Sequence, residues 1–336
     1  MTSRERLWPA LRYDEWRETC SALHLWSQIA GKYRLAHAPW VNHSWHATLY
    51  LTPRGLTTGI VPDGERSISL DFDFFDHQLI ARADGGRVAA FSLEEMAVAD
   101  FFGKAKEVIA AVGGTASIHG APSEIPDGIP FADDTRRRPY DRAAVERFHR
   151  VLLSVERVLS RFRTSFLGKV SPVHLFWGAL DLAVTRFSGR RAPPHPGGVP
   201  ALPDEVAREA YSHEVSSAGF WPGGAGADDA AFYSYAYPEP DGFKSRSVQP
   251  ASASYDSRLG EFLLPYEAVR SAEDPEGALM AFLSSTYEAA AECGGWDRAA
   301  LECEIGRPGV PRRVGVPEAR REAGANGGST GARTSG

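Results

Sequence analysis

Twice along the chain a stretch with helical hydrophobic period gives way to short alternating segments, and the helical period then returns. That order constrains the fold most, because period 3.6 and period 2 cannot share one element. In the first block Leu23, Trp26, Ala30 and Tyr33 follow Asp14, which is expected to cap a first helix. "SLEE" from Ser92 reads as a capping box for a second, carrying Phe101, Ala105, Val108 and Val112 and stopped by Gly113 and Gly114. Between them, Ser44 to Thr52, Ser67 to Phe74, Gln78 to Ala83 and Val88 to Phe91 alternate and are bounded by turn residues such as "PDGE" and "DGG". In the second block Asp141 caps a helix with the stripe Phe148, Leu152, Val155, Leu159 and Phe162. Asp274 followed by Pro275 opens another, carrying Leu279, Phe282, Thr286 and Ala290. The segments between these two are Val173 to Thr185, His213 to Phe220, Phe232 to Tyr237 and Leu259 to Leu264.

The expected fold is therefore α+β, in two similar halves of helix, about four antiparallel strands and helix, with the helices on one face of the sheet. The first half spans 8–119, a proline-rich connector 120–140 and the second half 141–304. A Gly-, Pro- and Arg-rich tail, 305–336, is expected to be disordered. Setting His43 on His174 aligns "HSWHATLYL" with "HLFWGALDL", a register that suggests an internal duplication. The segment "RFSGRRAPPHPGGVPALPDE" from Arg186 is too long for an idle connection, which points to a cover over a pocket or a subunit contact.

Composition excludes several classes. The net charge is −6, and the stretch from Ile305 carries six Arg against two Glu, which leaves −10 for the rest once its net +4 is set aside. A body that acidic repels phosphate backbones, so nucleic acid is not an expected partner. No apolar run is long enough to span a bilayer, and the start "MTSRERLWPALRYDEW" has no signal-peptide core, so the expectation is a cytoplasmic protein without a membrane partner. Cys20, Cys293 and Cys303 form no C-x-x-C pair and are expected as free thiols. No phosphate loop, dinucleotide fingerprint or nucleophile elbow is present, and the pattern assigns no cofactor, metal or oligomeric state.

The chemistry-bearing residues follow from strand phase. In an extended strand His43 shares a face with Trp45, Ala47 and Leu49 and reads as a satisfied core histidine, as does His174 beside Phe176. His46 shares the other face with Tyr50. In "SISLDFDFF" the apolar side is Ile68, Leu70, Phe72 and Phe74, leaving Asp71 and Asp73 opposite; Trp177 and Asp181 take the registers of His46 and Tyr50 in the second half. The expected catalytic set is His46, Asp71 and Asp73, as acid and base, with Tyr50, Trp177, Asp181, His213 and Glu214 as ligand-binding residues. The leading expectation is a small-molecule-binding protein for a small polar ligand, with an enzyme using His46 and Asp71 or Asp73 as its extension. Two alternatives stand beside it. One is a structural or interaction module using the aromatic segments at Trp221 and Tyr233 to Tyr237. The other is a metal-dependent hydrolase with His46, Asp71, Asp73 and His213 or Glu214 as ligands. The bland reading is a solvated sheet face.

The segments "WVNHSWHATLYLTPRGLTT", "LDFDFFDHQL", "SPVHLFWGALDLAVTRFSGR", "REAYSHEVSSAGFWPGG" and "FYSYAYPEP" resemble a family of uncharacterised bacterial proteins known as a domain of unknown function. The resemblance runs from about Trp8 to Leu301 and implies one family-wide unit. It supplies no activity, cofactor or catalytic residue.

Overall fold

Two antiparallel sheets, each backed by helices, share one contiguous hydrophobic core in the computed structural model, which describes residues 6–224 and 229–312. The chain begins with α1 (Tyr13–His37) and a 3-10 turn at Asn42–Ser44. The strands of the first half are β1 (Tyr50–Thr52), β2 (Gly55–Thr57), β3 (Val61–Asp63), β4 (Arg66–Asp73), β5 (Gln78–Ala83), β6 (Val88–Ser92) and the short β7 (Met96–Ala97), before α2 (Val98–Ala111). After β8 (Arg137–Arg138) come α3 (Arg142–Arg163), β9 (His174–Phe176), β10 (Asp181–Arg191), α4 (Asp204–Ala210), β11 (His213–Trp221) and β12 (Ala231–Tyr237). The chain continues through β13 (Ser254–Asp256), β14 (Glu261–Pro265), α5 (Tyr266–Ser271), α6 (Pro275–Cys293) and α7 (Arg298–Leu301). The first sheet runs β1-β2-β4-β5-β6 with β3 also on β4, and the second runs β13-β14-β12-β11-β10-β9. Leu49 and Leu175 exchange backbone hydrogen bonds at 3.0 and 2.8 Å, joining the two sheets at their β1 and β9 edges.

The α+β class and the helix, sheet, helix outline hold for both halves. In the first, Trp26 of α1 stacks on Phe101 of α2 with ring centroids 4.9 Å apart, and Phe72 of β4 lies against the same ring. In the second, α3 and α6 pack on β10, β11 and β12 through Phe148, Leu152, Leu159, Leu279, Phe282 and Leu283, all sealed from solvent. Arg186 points from β10 into this helix layer and is 2 % exposed; its guanidinium lies 3.6 Å from the Phe162 ring centroid and 4.3 Å from that of Tyr287. The expected caps Asp141 and Asp274 accept the backbone N–H of Ala144 and Gly277 at 3.1 and 2.9 Å. Among the described residues no helix is long and apolar enough to cross a membrane.

Several expectations are corrected. Ser44 to Thr52 is not one strand: His43 and Ser44 take positive φ (60° and 55°), the chain turns, and regular pairing begins only at Tyr50. Val173 to Thr185 is likewise broken by a turn over Trp177–Leu180 into β9 and β10. His43 therefore lies in a turn and His174 in a strand, so the two stretches aligned by sequence differ in conformation. Each sheet has six strands, not four, because three-residue pieces such as β2 and β3 are too short to show a period. The helix expected from Ser92 starts at Val98, where Asp100 reaches back to the Ala97 N–H. Asp14 lies in the first turn of α1 while Arg12 holds the N-cap position. The tail expectation lies, from 313 onward, outside the described residues.

A cavity of buried acids and stacked aromatics

The face of the second sheet turned away from α3 and α6 carries Asp181, Thr185 and Phe187 on β10, Ser217, Gly219 and Trp221 on β11, Tyr233 and Tyr235 on β12 and Glu261 on β14. Alternation puts these residues on one side and Leu182, Phe220, Phe232 and Leu264 on the other. An antiparallel sheet normally leaves such a face in water. Here α1, the turn at Asn42–Ser44, the connector at Ser123 and Glu124, and the segment from Val199 through α4 close over it, leaving a cavity of about 750 Å³. That volume suits a small organic molecule.

Its floor is aromatic. Trp221 stacks on Tyr233 at 4.4 Å and Tyr233 on Tyr235 at 6.1 Å, with interplanar angles of 28° and 17°. The Tyr235 hydroxyl pairs with that of Tyr211 at 2.7 Å, and His195 stacks on Tyr211 at 4.8 Å. The Tyr233 hydroxyl donates to Asp181 across Gly219, where a Cβ would stand 2.5 Å from that oxygen. Only glycine permits this crossing. On the α1 side the Trp177 indole lies against Gly31, where a Cβ would be 2.1 Å from the ring, and donates from Nε1 to the Ala47 carbonyl at 2.7 Å.

Four ionisable side chains converge on this space. Lys32, 3 % exposed, donates to Ser123 Oγ at 2.7 Å and sits 5.2 Å from the Trp177 ring centroid. Burial pulls its ammonium down to about 8, with Glu124 opposing. Glu124, although exposed as a residue, has its carboxyl pushed up by desolvation, against the pull of Lys32. Asp181, 5 % exposed, is pushed up to about 7, chiefly by burial, with Glu124 adding to the shift and the Tyr233 hydroxyl opposing it. Glu261 is pushed up to about 8 by burial, then by Asp181 and Asp256, and its Oε2 is sealed from solvent with no hydrogen-bond partner. Near neutral pH the two sheet carboxyls thus hold protons that ordinary carboxylates would have lost.

Of the residues singled out by sequence, Trp177 and Asp181 line this cavity. His46 stands behind its rim: Nδ1 accepts the Val41 N–H at 3.1 Å and the ring packs on Trp40 at 4.4 Å. Asp71 accepts from Thr57 Oγ1 at 2.6 Å and pairs with Arg82 at 3.3 Å on the first sheet. Asp73 takes a two-pronged contact from Arg54, at 2.6 and 3.0 Å, and accepts the N–H groups of Phe75 and Asp76; it fixes a hairpin. Tyr50 lies under the Arg34 guanidinium at 5.1 Å, His213 contacts Ser212 at 3.1 Å, and Glu214 pairs with Arg190 at 2.7 Å. The expected trio is therefore divided: Asp71 and Asp73 stay together on β4 of the first sheet, His46 lies apart in a turn, and none is on the cavity lining. The phase argument failed for His46 because the strand it assumed is a turn.

His43 does line the cavity. Its backbone N–H donates to Glu209 at 3.1 Å and its Nδ1 lies 3.0 Å from the Ala210 carbonyl, tying the turn to α4. His174 packs edge-on against Phe176, as His43 does from the other side, and burial pulls its imidazole down to about 3. Sequence reasoning missed Lys32, Glu124 and Glu261. A signal existed for the first: Gln28 and Lys32, four apart on α1, are polar residues within a largely apolar stretch, and both are buried. Among the described residues no three of His, Cys, Asp and Glu are grouped as metal ligands.

A model for DUF5996, a family of unknown function, matches residues 8–303. The chain belongs to the DUF5996 family. No curated protein and no solved structure matches it. The DUF5996 match covers both sheets, their helices and every cavity residue named above.

Proposed function

We propose that this DUF5996 member is a cytoplasmic small-molecule-binding protein whose ligand site is the cavity over the second sheet. The observation that carries the reading is the convergence of Lys32, Glu124, Asp181 and Glu261 with the Trp221, Tyr233 and Tyr235 stack around about 750 Å³. Burying several ionisable groups costs stability unless partners compensate them, and a fold that keeps them around a hollow is arranged for an occupant. The interaction-module reading is less supported, because Trp221 and Tyr233 are 8 % and 3 % exposed and Tyr235 and Tyr237 only half-buried. A metal-dependent hydrolase would need a ligand group that the described residues do not assemble.

Native mass spectrometry of the protein isolated from its own cells tests the proposal. The expected result is excess mass that disappears on denaturation and is absent from folded Val206→Trp, which fills the cavity from α4. A bare protein mass in both, with no component of a metabolite extract raising the melting temperature of the wild type, would remove the proposal. A second reading, acid–base catalysis in the same cavity, is favoured by one feature: Asp181 titrates at about 7 with a tyrosine hydroxyl on it. It predicts conversion of a captured compound by the wild type and none by Asp181→Asn.

A further inference from the structure

We propose that the cavity's occupant is an organic ammonium compound with a flat apolar body, its cationic group seated between Asp181 and Glu261 and its body on the Trp221, Tyr233 and Tyr235 faces. The inference rests on the cavity being the ligand site and adds the class of ligand.

Charge balance within a partly open cavity points to this class. Lys32 already has partners: Ser123 accepts its hydrogen bond, the Trp177 face lies beside it and Glu124 is the acid acting on it. Among the described residues Asp181 and Glu261 have no such provision. The groups acting on Asp181 are Tyr233 and Glu124, and those acting on Glu261 are Asp181 and Asp256; none carries positive charge. Tyr211 and Tyr235, the other titratable groups facing them, keep their protons well above neutrality. Two acids without a counter-cation hold protons, and Glu261 Oε2 is left with no hydrogen-bond partner. An ammonium group supplies what both lack at once: a positive charge that lets the carboxyls ionise, and N–H donors for their oxygens.

The aromatic floor agrees with the same class. The near-parallel rings of Trp221, Tyr233 and Tyr235 line the same cavity as the two acids, and aromatic rings attract a cation most strongly where water is scarce. An anionic ligand would meet the two uncompensated acids, and the one lysine among the described lining residues already has partners. A neutral ligand would leave the acids protonated.

Proton balance gives the distinguishing signature. An ammonium ion that seats between protonated Asp181 and Glu261 drives protons from the carboxyls into solvent, whereas a neutral isostere drives none. The test uses the full chain at neutral pH with three probes of one shape: 2-phenylethylammonium, 2-phenylethanol and phenylacetate. Calorimetric titrations in two buffers of different protonation enthalpy measure affinity and proton release together. The expected result is binding of the ammonium probe with net proton release, and affinity reduced about tenfold or more in Asp181→Asn and in Glu261→Gln, whose folding is checked by circular dichroism. Equal or tighter binding of the alcohol or the carboxylate would overturn the ligand class while leaving the cavity as the site. Binding of the ammonium probe without proton release would overturn it as well. No heat from any probe at millimolar concentration would also overturn it, and the ligand-capture measurement would then decide the cavity reading separately.

Discussion

Replacing Asp181 by Asn should make the protein more stable at neutral pH and leave it unchanged in acid. The carboxyl is 5 % exposed and titrates at about 7, against an ordinary value of 3.8. Its folded-state value is raised, so its contribution to stability is fully present below about pH 4 and is lost as pH rises towards 7. Between those limits the unfolded chain releases the proton and the folded one keeps it, at about 1.4 kcal/mol per unit of pH. The shift therefore corresponds to an upper bound of ~4 kcal/mol of stability surrendered by about pH 8. Asn matches the shape, accepts the Tyr233 hydroxyl and does not titrate. Urea unfolding followed by tryptophan fluorescence, repeated from about pH 4 to pH 8, should give superimposable midpoints for wild type and variant at the acid end. The variant should then draw ahead as pH rises. A difference that does not change with pH, or a variant less stable than the wild type near pH 8, would refute the account of Asp181 as a buried acid with no counter-charge.

Tyr233→Phe removes the hydroxyl that favours the Asp181 carboxylate, so the Asp181 titration followed by carbon NMR should move above about 7; an unmoved or lower midpoint would contradict the contact. Gly31→Val puts carbon into the space held by the Trp177 indole and should cost ~2 kcal/mol in denaturant unfolding, with a change in near-ultraviolet circular dichroism as the ring shifts. Arg186→Ala leaves a hollow between Phe162 and Tyr287 and takes a donor from the Phe162 carbonyl; a loss of ~3 kcal/mol is expected, and a loss under ~1 kcal/mol would mean that the helix layer closes over the gap.

The sequence by itself determined the class of fold, the caps at Asp141 and Asp274 and the apolar face of α3, because each depends on residues within a few positions of one another. It also singled out Trp177 and Asp181, though on a strand phase that the turn over Trp177–Leu180 interrupts. Tertiary structure decided the site. Whether His46 faces a pocket depends on positive backbone angles at His43 and Ser44 that the alternating letters do not reveal. Whether Asp73 is a catalytic base or the anchor of a hairpin depends on Arg54, nineteen residues away in sequence terms and adjacent only after folding. Lys32, Glu124, Asp181 and Glu261 come from a helix, a connector and two strands, and no spacing rule joins them. The protonation of Lys32, Asp181 and Glu261 follows from the removal of water around them, and burial is a property of the assembled molecule, not of any local stretch of sequence.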